Sequence, residues 1–411
     1  MSVPAPCGLA RLPEELVDLV CSVVLTFDSR SSSRTLSSLA LTSRQFLAPA
    51  RRALLFDPTW IFHSRRYSDD RVVEDLHKLL NYLIKRPEMG AHVRSLTFLS
   101  LVYACRADEF GRDLAFDNWT LSLLRLCPNL TAIMIWPALD FGWPEELARL
   151  PRLRRIYVMP RHERTDLYDV DEVAFHAFLG TLSTNRIEKL SLDTYKPPPS
   201  APLSRPQPPV HLANIHLELD DCKIVSWTSA GLDVDDIRAL TISCLDYERP
   251  AVGADLVLPG KLEEFVLHPG WEGPARSWRG WSDQFIGEWS QLFPRPAQCP
   301  ILREVALRAV PLDAASFAKV CAAAPNVIQV DMRDSRWRVK SATAAAALDG
   351  VISRAIGPLA HLRYLDLGEV PGGEAVLEHT RAWCERAGVK LSWQSVPLPL
   401  EEAGTGASAA S

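Results

Sequence analysis

The sequence predicts an α/β solenoid with a curved parallel sheet, preceded by a small helical unit. Three observations predict it. A six-position pattern, apolar-x-x-apolar-x-apolar, occurs ten times between Val93 and Leu367. The last two apolar positions of each copy sit two apart, which is the period of a strand. Successive copies leave room for one return element, and a spacing of 25 residues between copies recurs. Each copy therefore reads as one turn of a stacked array.

Composition allows this architecture and narrows the function. At 411 residues the chain is too long for one compact core, but an array grows in one dimension and escapes that limit. A hydrophobic fraction of 47% places it among globular proteins. The net charge of −5 carries no basic excess, so no nucleic-acid partner is expected. No run reaches the roughly 18 apolar residues of a membrane span, so no membrane partner is expected either. Met1 to Arg11 lacks the basic stretch and apolar core of a signal peptide. Nine cysteines without a C-x-x-C pair fit reduced thiols in the cytoplasm, the nucleus or both. Cys127, Cys299 and Cys321 adjoin repeat positions and read as small core residues.

The helical unit spans residues 9–56. Leu12-Pro13-Glu14-Glu15-Leu16 opens a first helix, where Pro13 loses no hydrogen bond and the two glutamates face the positive dipole end. Leu16, Leu19, Val20, Val23 and Val24 then recur at helical spacing. Asp28 to Thr35 is rich in Ser and Arg and reads as a loop. Leu36, Leu39 and Leu41 mark a second helix, and Phe46 to Leu55 a third with Pro49 in its first turn. Residues 57–90 form a connecting segment with a helix over Tyr67 to Lys85, stopped by Pro87.

The array occupies residues 91–396. Its ten copies are Val93/Leu96/Phe98, Leu130/Ile133/Ile135, Leu153/Ile156/Val158, Ile187/Leu190/Leu192, Leu212/Ile215/Leu217, Ile237/Leu240/Ile242, Leu262/Phe265/Leu267, Leu302/Val305/Leu307, Val327/Val330/Met332 and Leu362/Leu365/Leu367. Asp313 is placed to cap a helix over Ala314 to Ala323, and Asp171 one over Glu172 to Leu182. An insertion at 196–209 is too proline-rich for helix or sheet. A second, at 268–298, carries Trp271, Trp278, Trp281 and Trp289, with Trp281, Phe285, Trp289 and Leu292 on one helical face. It reads either as a buried return helix or as a lid. Residues 397–411 end in a small, polar tail that is expected to be disordered.

The N-terminal unit resembles an F-box. The resemblance is carried by Leu12-Pro13-x-Glu15-Leu16, then Val20 and Val24, then Leu36-x-x-Leu39-x-Leu41-x-Ser43-Arg44-x-Phe46. It implies a three-helix F-box-like module that docks a Skp-type adaptor and, through it, a cullin scaffold with a RING protein. Leu12, Pro13, Leu16, Val20, Leu39 and Phe46 would be the adaptor-binding residues. Packing of the same residues against the array is the other reading. The repeats resemble irregular leucine-rich repeats, which in such proteins select the target to be ubiquitinated. They depart at the ninth position, where Asn or Cys is replaced by residues such as Ser335 and Val370, so no side-chain ladder is expected there.

In each strand the residue between the last two apolar positions points away from the core. That outward face includes Tyr157, His216, Asp331 and Asp366, flanked by Trp136, Arg308, Arg333 and Tyr364. Aromatics and arginines dominate protein hot spots, so Trp136, Tyr157, Arg308, Arg333 and Tyr364 are the target-binding candidates. The other reading is an ordinary solvated face. No G-x-S-x-G, H-E-x-x-H or phosphate-loop motif occurs, so neither catalysis nor a cofactor is expected. His211 and His216 lack the companions of a metal site, and Asp166, Asp169, Asp171 and Glu172 lack the spacing and glycine of a calcium loop. The expected function is the substrate-recognition subunit of an SCF-type ubiquitin ligase that binds an unidentified target protein. A repeat scaffold unconnected with ubiquitin is the alternative. A Ser/His pair or paired carboxylates in a deep pocket would instead mark an enzyme.

Overall fold

The computed structural model describes residues 12–24, 29–56, 58, 69–97, 121–135, 143–158, 180, 187–193, 209–220, 227, 232–243, 256–268, 289–339 and 342–397. The chain divides into two compact units, Met1–Ile187 and Glu188–Ser411.

The first unit begins with three helices, α1 (Glu14–Val24), α2 (Ser29–Thr42) and α3 (Arg44–Phe56). Val17, Cys21, Val24, Leu36, Phe46, Ala50 and Ala53 form their shared core. Two boundaries differ from expectation. Helix α2 starts at Ser29 and absorbs the stretch read as a loop. Serine costs well under about 1 kcal/mol in a helix, and Ser38 Oγ bonds back to the Arg34 carbonyl at 2.9 Å. Helix α3 starts at Arg44 because Ser43 caps it, its Oγ accepting the Gln45 N–H at 3.2 Å. Pro49 consequently falls inside α3, past the first turn. Helix α4 (Asp69–Lys85) follows and buries Leu79, Leu80 and Leu83.

A short helix, Pro87–Gly90, then leads to strands β1 (Ser95–Thr97), β2 (Ala132–Ile135) and β3 (Arg155–Val158), with a further short helix, Trp143–Ala148, between β2 and β3. The three strands pair in parallel with Leu96, Ile133 and Ile156 in register. All three side chains are buried.

The second unit contains β4 (Lys189–Asp193), β5 (Val210–Ala213), β6 (His216–Asp220), β7 (Leu232–Asp236), β8 (Ala239–Ser243), β9 (Glu264–His268), β10 (Glu304–Leu307), β11 (Pro311–Leu312), β12 (Gln329–Asp331), β13 (Arg336–Trp337), β14 (Tyr364–Pro371) and β15 (Lys390–Val396). Its principal sheet runs β4-β6-β8-β9-β10-β12-β14 and continues through β13 to β11, while β15 also pairs with β14. Every pair is parallel, and one line of register joins Leu190, Leu217, Leu240, Phe265, Val305, Val330 and Leu365. All seven are buried to 1% exposure or less, and burial of each such side chain contributes roughly 1.5–3 kcal/mol. This stacked ladder of short parallel strands makes the fold leucine-rich-repeat-like.

The register corrects one copy of the pattern. Leu217, not Ile215, aligns with Leu190, so the fifth copy runs Asn214/Leu217/Leu219. Leu212 satisfied the pattern from a different strand, β5, which pairs with β7 in a separate two-stranded sheet. Asn214 adopts a positive φ of 58° and turns the chain between β5 and β6.

Helices back the later repeats. Asp313 caps Ala314–Ala323 as its position predicts, its carboxylate accepting the Ser316 N–H at 2.9 Å. Ala342–Ile356 buries Ala345, Leu348, Ile352 and Ile356, a regular helical stripe. Trp289 is fully buried and donates its indole N–H to the Pro311 carbonyl at 3.2 Å, so this member of the Trp-rich insertion is core. Trp271, Trp278, Trp281, Phe285, the Glu172–Leu182 helix apart from Gly180, the tail from Glu401 and nearly all of the Pro-rich insertion lie outside the described residues. No helix among the described residues is long and apolar enough to cross a membrane.

Candidate protein-binding surfaces

The first surface lies on α1. Leu16, Leu19, Val20 and Val23 are 45%, 57%, 39% and 50% exposed. They follow i, i+3, i+4, i+7 spacing and form one apolar stripe. A neighbouring face of the helix, Val17, Cys21 and Val24, about a third of a turn away, is the one that enters the three-helix core. Four of the five residues expected at helical spacing thus face outward, and the fifth, Val24, joins the core. Arg52 fixes its position by joining α3 to α1, at 2.8 Å from Asp18 and 3.3 Å from Glu14. The Pro13 carbonyl accepts the Leu16 and Val17 N–H groups and starts the helix.

Of the six adaptor-binding candidates, Pro13, Leu16 and Val20 are exposed. Leu12 and Leu39 pack partly against the core, and Phe46 is buried inside it. Leu41, on α2, is 88% exposed. Leu19, Val23 and Leu41 are surface residues that the candidate set omitted, although the helical spacing of the first two is plain in the sequence.

The second surface is the outward face of the principal sheet in the second unit. Its middle row is less open than sequence reasoning expects. Ser191, Thr241, Ala306, Asp331 and Asp366 point away from the aliphatic core yet are buried. Neighbouring parallel strands lie only about 4.8 Å apart, so flanking side chains close over short ones. The exposed parts of this face therefore come from the rows on either side.

Polar cross-strand bonds run along it. Lys189 pairs with Glu218 at 2.9 Å, His216 Nε2 with Thr241 Oγ1 at 2.8 Å, and His268 Nε2 with Ser243 Oγ at 2.8 Å. Burial lowers the pKa of both histidines, with Lys189 adding to the effect at His216 and Arg308 at His268. Ser243 and His268 are direct register partners, and the serine is buried. Their bond is a rung between strands like that of His216 and Thr241. His211, on β5, belongs to the other sheet and pairs with Asp233 at 2.9 Å.

At the later repeats the face becomes an arginine clamp. Asp331 is 1% exposed and accepts from Arg308 Nε at 3.0 Å, Arg333 Nε at 2.9 Å and Arg333 Nη2 at 2.8 Å. Burial raises the Asp331 carboxyl, but the Arg333 side chain and backbone N–H, with Arg308, outweigh it and hold it below the usual carboxylate range. One strand on, Asp366 accepts from the Tyr364 hydroxyl at 3.1 Å, the Ser392 hydroxyl at 2.5 Å and the Gly368 N–H at 2.9 Å. Lys390 lies 5.8 Å from the centre of the Tyr364 ring.

The structure thus gathers three target-binding candidates, Arg308, Arg333 and Tyr364, around two buried carboxylates. Tyr157 lies half-buried on β3 of the first unit, and Trp136 is outside the described residues. The anchoring role of Asp331 and Asp366 was missed. Its signal was present in the spacing of two between Asp331 and Arg333, although β12 ends at Asp331 and Arg333 lies in the turn beyond it.

Among the described residues, no cluster of His, Cys, Asp or Glu is arranged to hold a metal ion. Cys127, Cys299 and Cys321 are buried, and burial pushes their thiols up to about 12, 11 and 12. That is the chemistry of inert core residues.

No family model matches the sequence, and no curated protein matches it. Among solved structures, the crystal structure of a TLR13–ssRNA13 complex aligns with 67% of this chain and 41% of that one, at 11% identity and a TM-score of 0.34. The chain spans less than half the length of that neighbour. The parallel ladder itself, rather than this likeness, defines the fold.

Proposed function

We propose that this chain is the substrate-recognition subunit of an SCF-type cullin–RING ubiquitin ligase, acting in the cytoplasm, the nucleus or both. Its N-terminal helices dock a Skp-type adaptor, and the outward face of its repeats binds a target protein. The reading draws on the F-box-like residues, and one observation carries it: α1 exposes Leu16, Leu19, Val20 and Val23 although its three-helix unit already has a complete core. An exposed apolar stripe on a small unit is the mark of a protein-binding site. The chain performs no chemistry in this reading. It holds two proteins at once and raises the local concentration of the target near the ubiquitin-charged enzyme.

The test is co-purification of the adaptor with the full chain. Leu16→Asp combined with Val20→Asp removes apolar contact from positions outside the core, so the protein stays folded and the adaptor is lost. Undiminished adaptor recovery sinks the reading. Absence of the adaptor from the unmodified protein leaves a repeat scaffold unconnected with ubiquitin.

A further inference from the structure

Arg308 and Arg333 stand at equivalent positions of neighbouring repeats, each three residues beyond the register pair Val305 and Val330. Parallel strands lie about 4.8 Å apart, so two guanidinium groups are held side by side. Such a pair repels itself unless a counter-charge intervenes. Asp331 supplies it from beneath, bonding the Nε and one terminal nitrogen of each arginine.

The division of exposure decides what a partner meets. The Asp331 carboxylate is hidden and its oxygens are taken up. The arginine side chains remain 42% and 56% exposed, and the Nη1 group of each lies outside the clamp. Asp366 is hidden in the same way under Tyr364 and Ser392. Lys390, exposed on β15, stands in the register row of Glu304, Gln329 and Tyr364, at the other end of the strands from Arg308. The exposed carboxylate of this outer face on β10, Glu304, lies four residues from Arg308, roughly 13 Å along the strand. Arg308 and Arg333 are therefore accessible donors whose own counter-charge, Asp331, sits below them, while the exposed Asp334 adjoins Arg333 in the turn after β12 and Glu369 is half-buried on β14.

We infer that Arg308 and Arg333 form a carboxylate-binding subsite for an acidic, extended segment of the target protein. This rests on the proposed target-binding role of the repeat face and names the chemistry it selects. The planar forks of arginine match carboxylates. Anchoring by a buried counter-ion fixes both side chains beforehand, so binding costs less conformational entropy. Acidic side chains at i and i+2 of an extended segment project on one face about 6.8 Å apart, within reach of both guanidinium tips.

The experiment is fluorescence polarisation of the full chain with a labelled (Glu-Ser)5 peptide and its (Gln-Ser)5 counterpart. The acidic peptide binds, more weakly as salt rises, and the neutral one binds about tenfold less tightly or worse. Arg308→Gln with Arg333→Gln abolishes the difference. Because that variant strands Asp331 as a buried charge, the triple variant that adds Asp331→Asn must show the same loss while folded. Arg238→Gln, which removes an exposed arginine paired with Glu263 at 3.2 Å, must leave binding intact. Failure of the acidic peptide to bind overturns the inference, as does equal binding by the triple variant or equal loss with Arg238→Gln. Adaptor recovery reads α1 alone, so loss of one result without the other identifies which proposal has failed.

Discussion

The Ser335 hydroxyl accepts the Val310 N–H at 2.9 Å and donates to the Leu307 carbonyl, so one buried side chain joins two successive repeats. This is a local side-chain rung at the ninth repeat position, where the departure from Asn or Cys predicted none. Serine serves because its hydroxyl can donate and accept at once. Ser335→Ala removes the rung and leaves the Val310 N–H buried without its partner. The expected cost is about 1–3 kcal/mol, read as a lower denaturant midpoint at unchanged slope. An unaltered midpoint shows that the rung is dispensable.

Gly368 occupies the neighbouring constraint. Its φ is +64°, and a Cβ there would lie 2.2 Å from the Met332 carbonyl oxygen and 2.4 Å from that of Ser335. Both obstacles are backbone, so neither can swing aside. Gly368→Ala should destabilise by more than about 2 kcal/mol. Gly350, within the helix Ala342–Ile356, has nothing within 4 Å of a built Cβ, and Gly350→Ala should stabilise by up to about 1 kcal/mol. Thermal unfolding of the two variants should move in opposite directions, and movement in the same direction contradicts the geometry.

Phe46 and Leu16 share a small unit but differ in burial, 4% against 45% exposed. Phe46→Ala should cost about 3–5 kcal/mol by opening a cavity in the three-helix core. Leu16→Ala should cost well under about 1 kcal/mol. Circular dichroism melts compare them directly. A large loss at Leu16 places that side chain in a core and removes the docking stripe.

Stability should fall in mild acid through His216 and His268. Burial depresses both folded-state values below the ordinary pKa of about 6.5. The unfolded chain therefore takes up protons first as pH falls, and the folded state loses ground. Their contribution is complete above about pH 6.5 and declines through the lower folded values. Replacing both with glutamine should flatten the dependence between about pH 7 and pH 5. An equally steep decline in that variant assigns the effect elsewhere.

The positions of the strands were legible because alternation is a local property. The second apolar residue of nine copies, from Leu96 to Leu365, lies on a strand and is buried. The same holds for the Asp313 cap, which needs only the few residues after it. The fifth copy misled because Leu212 and Leu217 satisfy one spacing from two strands, and only the pairing partner reveals the break at Asn214.

The surfaces lay further from view. Helix α1 is apolar on two faces, Leu16-Leu19-Val20-Val23 and Val17-Cys21-Val24, and periodicity alone cannot rank them. The fit against Leu36, Phe46 and Ala50 from α2 and α3 chose the second and left the first to solvent. Likewise the sequence determined that Asp331 and Arg333 stand two residues apart. That Arg308 joins them depends on strands β10 and β12 lying side by side in register. The sequence by itself determined what repeats and which residues alternate. The tertiary structure decided which apolar face is covered and which charges meet, because both depend on neighbours that are remote along the chain.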